Sequence, residues 1–167
     1  MKSYFSMLAR YNQWANGRLY RMAAELPDEA YRRNVGAYFG GLNGTLNHLL
    51  TADRIWMHRL TGTGDHPAHL DAILFTDLAQ LQTAREAEDR RIIGYVEGLR
   101  DTDIEASWDY QTLNGTAFSQ PLRDILAHLF NHQTHHRGQS HAILTALGVA
   151  EPAPLDLLLM QREQLTN

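Results

Sequence analysis

Nine of the 167 residues are histidine, and five of them lie between positions 128 and 141. Imidazole can move a proton near neutral pH or hold a metal ion. The chain has no cysteine, so disulfides and thiolate metal sites are excluded, and any metal must rest on imidazole or carboxylate. A helix over 120–147 turns about 100° per residue. Taking His132 as zero, the apolar residues Ile125, Leu129, Ile143 and Leu147 fall at about +20° to +60° and mark the inward stripe. His136 falls within it at about +40°, and His132 lies at its edge. His128 and His135 lie further round, at about -40° and -60°. The i, i+4 pair His132 and His136 is therefore the best aimed of the cluster. Two imidazoles so spaced can share a metal ion.

A catalytic metal wants a third protein ligand and an open position. The chain contains no HExxH glutamate, so another helix must supply that ligand. His48 is the histidine within the first half of a helix over 43–60, beside Leu46, Leu49 and Leu50. His58 lies near that helix's end, while His66 and His69 lie in a Gly/Pro-rich loop. The expected set is thus His48, His132 and His136 around one divalent ion. The plainer alternatives are hydrogen-bonded core histidines and a solvated, pH-sensitive helix face.

The elements that would position these residues are helical. Apolar spacing predicts helices over 3–25 (Phe5, Leu8, Tyr11, Ala15, Leu19) and 43–60 (Leu46, Leu49, Leu50, Trp56, Met57). A third helix is capped by Thr76 or Asp77 and runs to about 98. Its middle, REAEDRR, reads as a solvated face. Trp108, Tyr110 and Phe118 flank Asn114-Gly115, which reads as a short hairpin or irregular excursion with a type I′ turn. Ser119 then caps the long helix with Pro121 in its first turn, and Gly148 ends it. A short helix near 154–164 closes the chain. Residues 36–44, with Gly36, Gly40, Gly41 and Gly44, read as a loop. Four main helices imply an all-α, single-domain four-helix bundle over 1–167.

Composition narrows the partners. The net charge of -4, with 15 Lys plus Arg, lacks the basic stripe that a phosphate backbone requires, so no nucleic acid is expected. No apolar stretch approaches a membrane span or a signal-peptide core, so a cytoplasmic location is expected, with no membrane partner.

The segments YNQWANGRLY (11–20), HLLTADRIWMHRL (48–60) and HLFNHQTHHRGQ (128–139) resemble the DinB/YfiT-like superfamily of small damage-inducible bacterial proteins. The likeness spans nearly the whole chain. It implies a four-helix bundle of up-up-down-down connectivity and a three-histidine metal site at His48, His132 and His136. It further implies a metal-dependent transferase that adds a low-molecular-weight thiol to a small electrophile, and a homodimer. Zinc or nickel is the expected ion. The same ligands would serve a metal-dependent hydrolase, or a non-catalytic metal-binding protein of the damage or stress response with a site closed by a fourth ligand such as His128.

Around the ligands, Gln139 at about -20°, Asp53 and Asn47 are candidates to orient an imidazole by accepting its far N–H. A salt bridge with Arg54 or Arg59 is the plainer reading of Asp53. Trp56 is a candidate pocket wall or core residue, and Trp14 is assigned to the core. Arg137, at about 140°, is expected to face solvent or an anionic substrate group.

Overall fold

The computed structural model describes residues 1–166. Four long helices account for most of them: α1 (Lys2–Ala24), α3 (Leu42–Thr61), α4 (Leu78–Gly98) and α6 (Leu122–Ala146). Short helices α2 (Asp28–Arg32), α5 (Asp101–Glu105) and α7 (Leu157–Leu165) lie between or after them, with strands β1 (Ser107–Gln111) and β2 (Ala117–Pro121) just before α6. Helix α1 packs on α4 and α6, and α3 packs on the same two. No helix among the described residues is long and apolar enough to cross a membrane.

Local chemistry accounts for the boundaries. Asp77 caps α4 by accepting from the Gln80 amide at 2.8 Å. Helix α3 ends at Gly62, whose φ of +69° suits a residue without a Cβ. Aliphatic and aromatic residues of all four long helices form the core. One cluster is centred on Met57, Ile92, Leu126 and Leu129, and a second on Leu19, Leu46, Leu50 and Leu144.

The structure corrects three expectations about elements. The chain is mostly helical but not all-α, because residues 107–111 and 117–121 pair as an antiparallel hairpin. Ser119 pairs with Asp109 in that hairpin and does not cap α6; Pro121 holds the cap position. The turn is not type I′, which needs positive φ at both central residues; only Gly115 has it, at +82°. Residues 112–116 form a longer loop closed by the Thr112 amide donating to the Thr116 carbonyl at 2.9 Å.

The fourth correction concerns charge. REAEDRR is not a solvated face: Arg85, Glu88 and Asp89 are buried. Their i, i+3, i+4 spacing continues the inward stripe of Leu81 and Ile92, and opposite charges offset one another there. Arg85 lies 2.7 Å from Asp53 of α3 and 3.0 Å from Asp89 of its own helix. Asn12 and Asn16 of α1 donate to Asp89 at 3.4 and 3.0 Å. Arg137 of α6 is likewise 2 % exposed, against the expectation of a solvent-facing residue. It donates to Asn12 and, at 3.4 Å, to Asn16, and lies over the Tyr11 ring. Helix α6 packs on α1 as well as on α3, so its buried arc is wider than one stripe.

Burial, offset in part by Arg85, pushes the Asp53 carboxyl up to about 6. Its folded value exceeds its unfolded one, so the folded state binds the proton more tightly. Stability from this group is present below about pH 4 and is lost as pH rises through about 6. Arg85→Met strands two buried carboxylates and is expected to cost about 3–5 kcal/mol near pH 8 by urea unfolding. The deficit should shrink toward about pH 5, where Asp53 takes up a proton. A loss below about 1 kcal/mol at both pH values would remove this network as a determinant of stability.

Candidate metal centre

His48 projects from the second turn of α3, and His132 and His136 from successive turns of α6. The two helices pack together, and one ligand atom from each histidine lies within 4.8 Å of the other two. His48 Nε2 is 3.2 Å from His132 Nε2 and 3.2 Å from His136 Nε2. Two nitrogens bound at about 2.05 Å to a tetrahedral ion stand about 3.3 Å apart, so the spacing fits a metal. The three histidines form a group that could hold a metal ion.

Hydrogen bonding supports that fit. His48 Nδ1 lies 2.7 Å from the Leu70 carbonyl, which only accepts, so Nδ1 carries the proton. His136 Nδ1 donates to Gln139 Oε1 at 2.8 Å. Burial lowers the pKa of both rings, which favours the neutral form. Both Nε2 atoms therefore present bare lone pairs, 3.2 Å apart, with no hydrogen between them. A cation shared between them would relieve that repulsion. Burial, followed by the neighbouring imidazoles, pushes His132 down to about 3, and its Nδ1 has no hydrogen-bond partner among the described residues.

The other candidates have different surroundings. Gln139 holds His136, and its amide donates to His135 at 3.1 Å. Asn47 hydrogen-bonds no histidine among the described residues: its side chain donates to the Phe75 carbonyl at 2.9 Å and accepts from the Phe75 amide at 3.0 Å. It pins the segment between α3 and α4, the same segment that brings the Leu70 carbonyl to His48. Asp53 is neither an imidazole acceptor nor a surface ion pair with Arg54 or Arg59; it faces Arg85. His58 stacks on His66 at 4.7 Å, outside the three-histidine group, and His69 is exposed. His128 is also outside it, with its ring 5.7 Å from that of His132. Trp14 is half-buried against Met160, and its N–H donates to Glu163 at 2.8 Å.

One neighbour was not singled out by spacing. The Phe39 ring stacks on His48 at 3.9 Å and meets His136 edge-on at 5.7 Å. The glycines of that loop were its signal. A Cβ on Gly44 would fall 2.0 Å from the Phe39 carbonyl oxygen, and one on Gly41 would fall 2.2 Å from that of Arg33. Only glycine lets the loop lie this close to the start of α3.

A cavity of about 590 Å³ adjoins the cluster, with His132, His128, Trp56, Ile55 and Phe118 among its walls. Trp56 also packs against the core.

The sequence profile of the DinB family matches residues 1–165. The chain belongs to the DinB family. It is 26 % identical over 160 residues to Protein DinB of Bacillus subtilis (strain 168), covering 93 % of this chain and 92 % of that protein. The segments that carried the likeness have physical roles in this DinB-family chain, the middle one supplying His48 to the histidine group and Asp53 to the pair with Arg85. The first supplies Tyr11, Asn12 and Asn16 to the buried polar network, and the last supplies His132, His136, Arg137 and Gln139.

The protein loaded with Zn²⁺ or Ni²⁺ is expected to retain one ion per chain by elemental analysis after gel filtration. His48→Ala, His132→Ala and His136→Ala should each abolish retention, and His58→Ala should not. Gln139→Leu should weaken affinity roughly 10- to 100-fold in a chelator competition. Full retention by His48→Ala would remove it from the ligand set.

Proposed function

We propose that this chain is a metal-dependent enzyme that transfers a low-molecular-weight thiol to a small electrophile. In this reading the four long helices form the family's up-up-down-down bundle. The observation that carries it is the open 590 Å³ cavity against His132, together with a histidine group of three members. A fourth ligand from His128 would have favoured a closed, non-catalytic site, and His128 lies outside the group.

A divalent cation on the three imidazoles supplies Lewis acidity and lowers the pKa of a thiol or water beside it. The chain's own residues do the rest. Gln139 and the Leu70 carbonyl fix the tautomers of His136 and His48, so that both Nε2 atoms point lone pairs inward. Phe39 covers His48 and keeps water from that side. Ile55, Trp56 and Phe118 offer apolar surface to the electrophile. The transfer forms a sulfur–carbon bond and breaks the bond from that carbon to its leaving group. The S–H proton passes to His128, a base on the cavity wall, or to solvent.

The three imidazoles would serve water and a thiol alike, and the family likeness supports the thiol.

Zinc-loaded protein, screened with bacillithiol, mycothiol and glutathione against a panel of alkyl halides and epoxides, should form thioether product. His132→Ala should reduce the rate at least roughly 100-fold. Hydrolysis of esters or amides without thiol transfer would instead make the protein a hydrolase.

A further inference from the structure

Arg59, in the last turn of α3, borders the same cavity. Its guanidinium makes no hydrogen bond or ion pair with another residue among the described residues, and its Nε is shut off from solvent. Nearby arginines differ: Arg54 pairs with Asp65 at 2.7 Å and Arg91 with Glu88 at 2.9 Å. The head group lies 4.7 Å from the Trp56 ring centre and 5.7 Å from that of Tyr110. Those ring faces attract the charge but do not satisfy its N–H donors as an anion would. Burial lowers the pKa of Arg59, the direction expected for a cation without a counter-charge. Among the described residues Arg59 is the one arginine or lysine on the wall of this cavity, and no acidic side chain joins it there.

Successive contacts lead from this cation to the histidine group. Arg59 lies over Trp56, Trp56 meets His128 at 5.3 Å, and His128 meets His132 at 5.7 Å. A molecule of modest length can therefore touch both ends. We propose that the cavity is specific for a small organic acid, whose carboxylate pairs with Arg59 while its apolar body lies on Ile55, Trp56 and Phe118 and its reacting end reaches His132. The proposal rests on the histidine group being the reaction centre, and it adds the charge and shape of the molecule that reaches it. Either the thiol or the electrophile can bring the carboxylate.

Two ligand pairs separate these sources: 4-phenylbutyrate against 4-phenylbutan-1-ol, and 6-mercaptohexanoate against 6-mercaptohexan-1-ol. Binding is read by tryptophan fluorescence and calorimetry on metal-free and zinc-loaded protein. The wild type should bind the acid of at least one pair roughly 10- to 100-fold more tightly than its alcohol, in both metal states. Preference within the phenyl pair places the acid on the electrophile, and preference within the thiol pair places it on the thiol. Arg59→Met should erase the preference and Arg59→Lys should keep part of it. Arg59→Gln serves if the Met variant fails to fold. Absence of acid preference in both pairs overturns the proposal. So does a preference that survives loss of the Arg59 charge, or one present only with zinc, since the carboxylate would then be meeting the metal. Zinc content measured on the same samples keeps the two readings apart. A protein that holds zinc but ignores the carboxylate refutes only the role of Arg59, whereas one that takes up no zinc refutes the metal reading.

Discussion

A guanidinium taken out of water is tolerated where carboxylates accompany it, and Arg85 meets one on each side. Burial alone would lower its pKa, but Asp89 and Asp53 raise it. Asp89 is on the same helix, while Asp53 is on α3, one turn beyond His48. The charge balance can be met only when α3 and α4 stand at one separation and one axial offset. Asn12 and Asn16 extend the requirement to α1, and Arg137, bonded to both, extends it to α6. Aliphatic packing would tolerate small slips among four helices; this network does not. The site inherits its precision from it, because Arg137 follows His136 directly and Asp53 shares a helix with His48.

Connecting segments complete the centre. The loop before α3 lays Phe39 on His48, and the segment after α3 brings the Leu70 carbonyl to its Nδ1. Asn47 and Thr51 hold the latter segment through Phe75 and Ala72. Helix α3 thus carries one member of the histidine group, the anchors of the stretch of chain that orients that imidazole, the cation of the neighbouring cavity, and half of an ion pair with α4. The β1–β2 hairpin adds Phe118 to the cavity.

What could be read from the sequence follows from the range of each interaction. The i, i+4 aim of His132 and His136 is a property of one helix, so angular projection reached it. Elimination and family likeness reached His48. The extents of α1, α3 and α4 came from apolar spacing, and the start of α4 from Asp77. Buried charges were misread because local pattern cannot distinguish a charged residue facing water from one facing a partner 32 residues away, as Arg85 faces Asp53. Arg85 and Asp53 look polar from either viewpoint. Ser119 was misread because a strand ends where a cap would begin, and the pairing partner Asp109 lies across a loop. Phe39 escaped because its role depends on Gly41 and Gly44, whose missing side chains matter only after the loop has folded back.

The bond from His48 Nδ1 to the Leu70 carbonyl makes one imidazole answer to two masters. Its Nε2 side belongs to the histidine cluster and its Nδ1 side to an otherwise exposed stretch of chain. Whatever fixes the ring at one face narrows its freedom at the other, so order in the α3–α4 connection and order at the cluster are linked equilibria. Linkage of this kind is reciprocal. The surface segment around Leu70 is thereby tied to the cluster through a single tautomer.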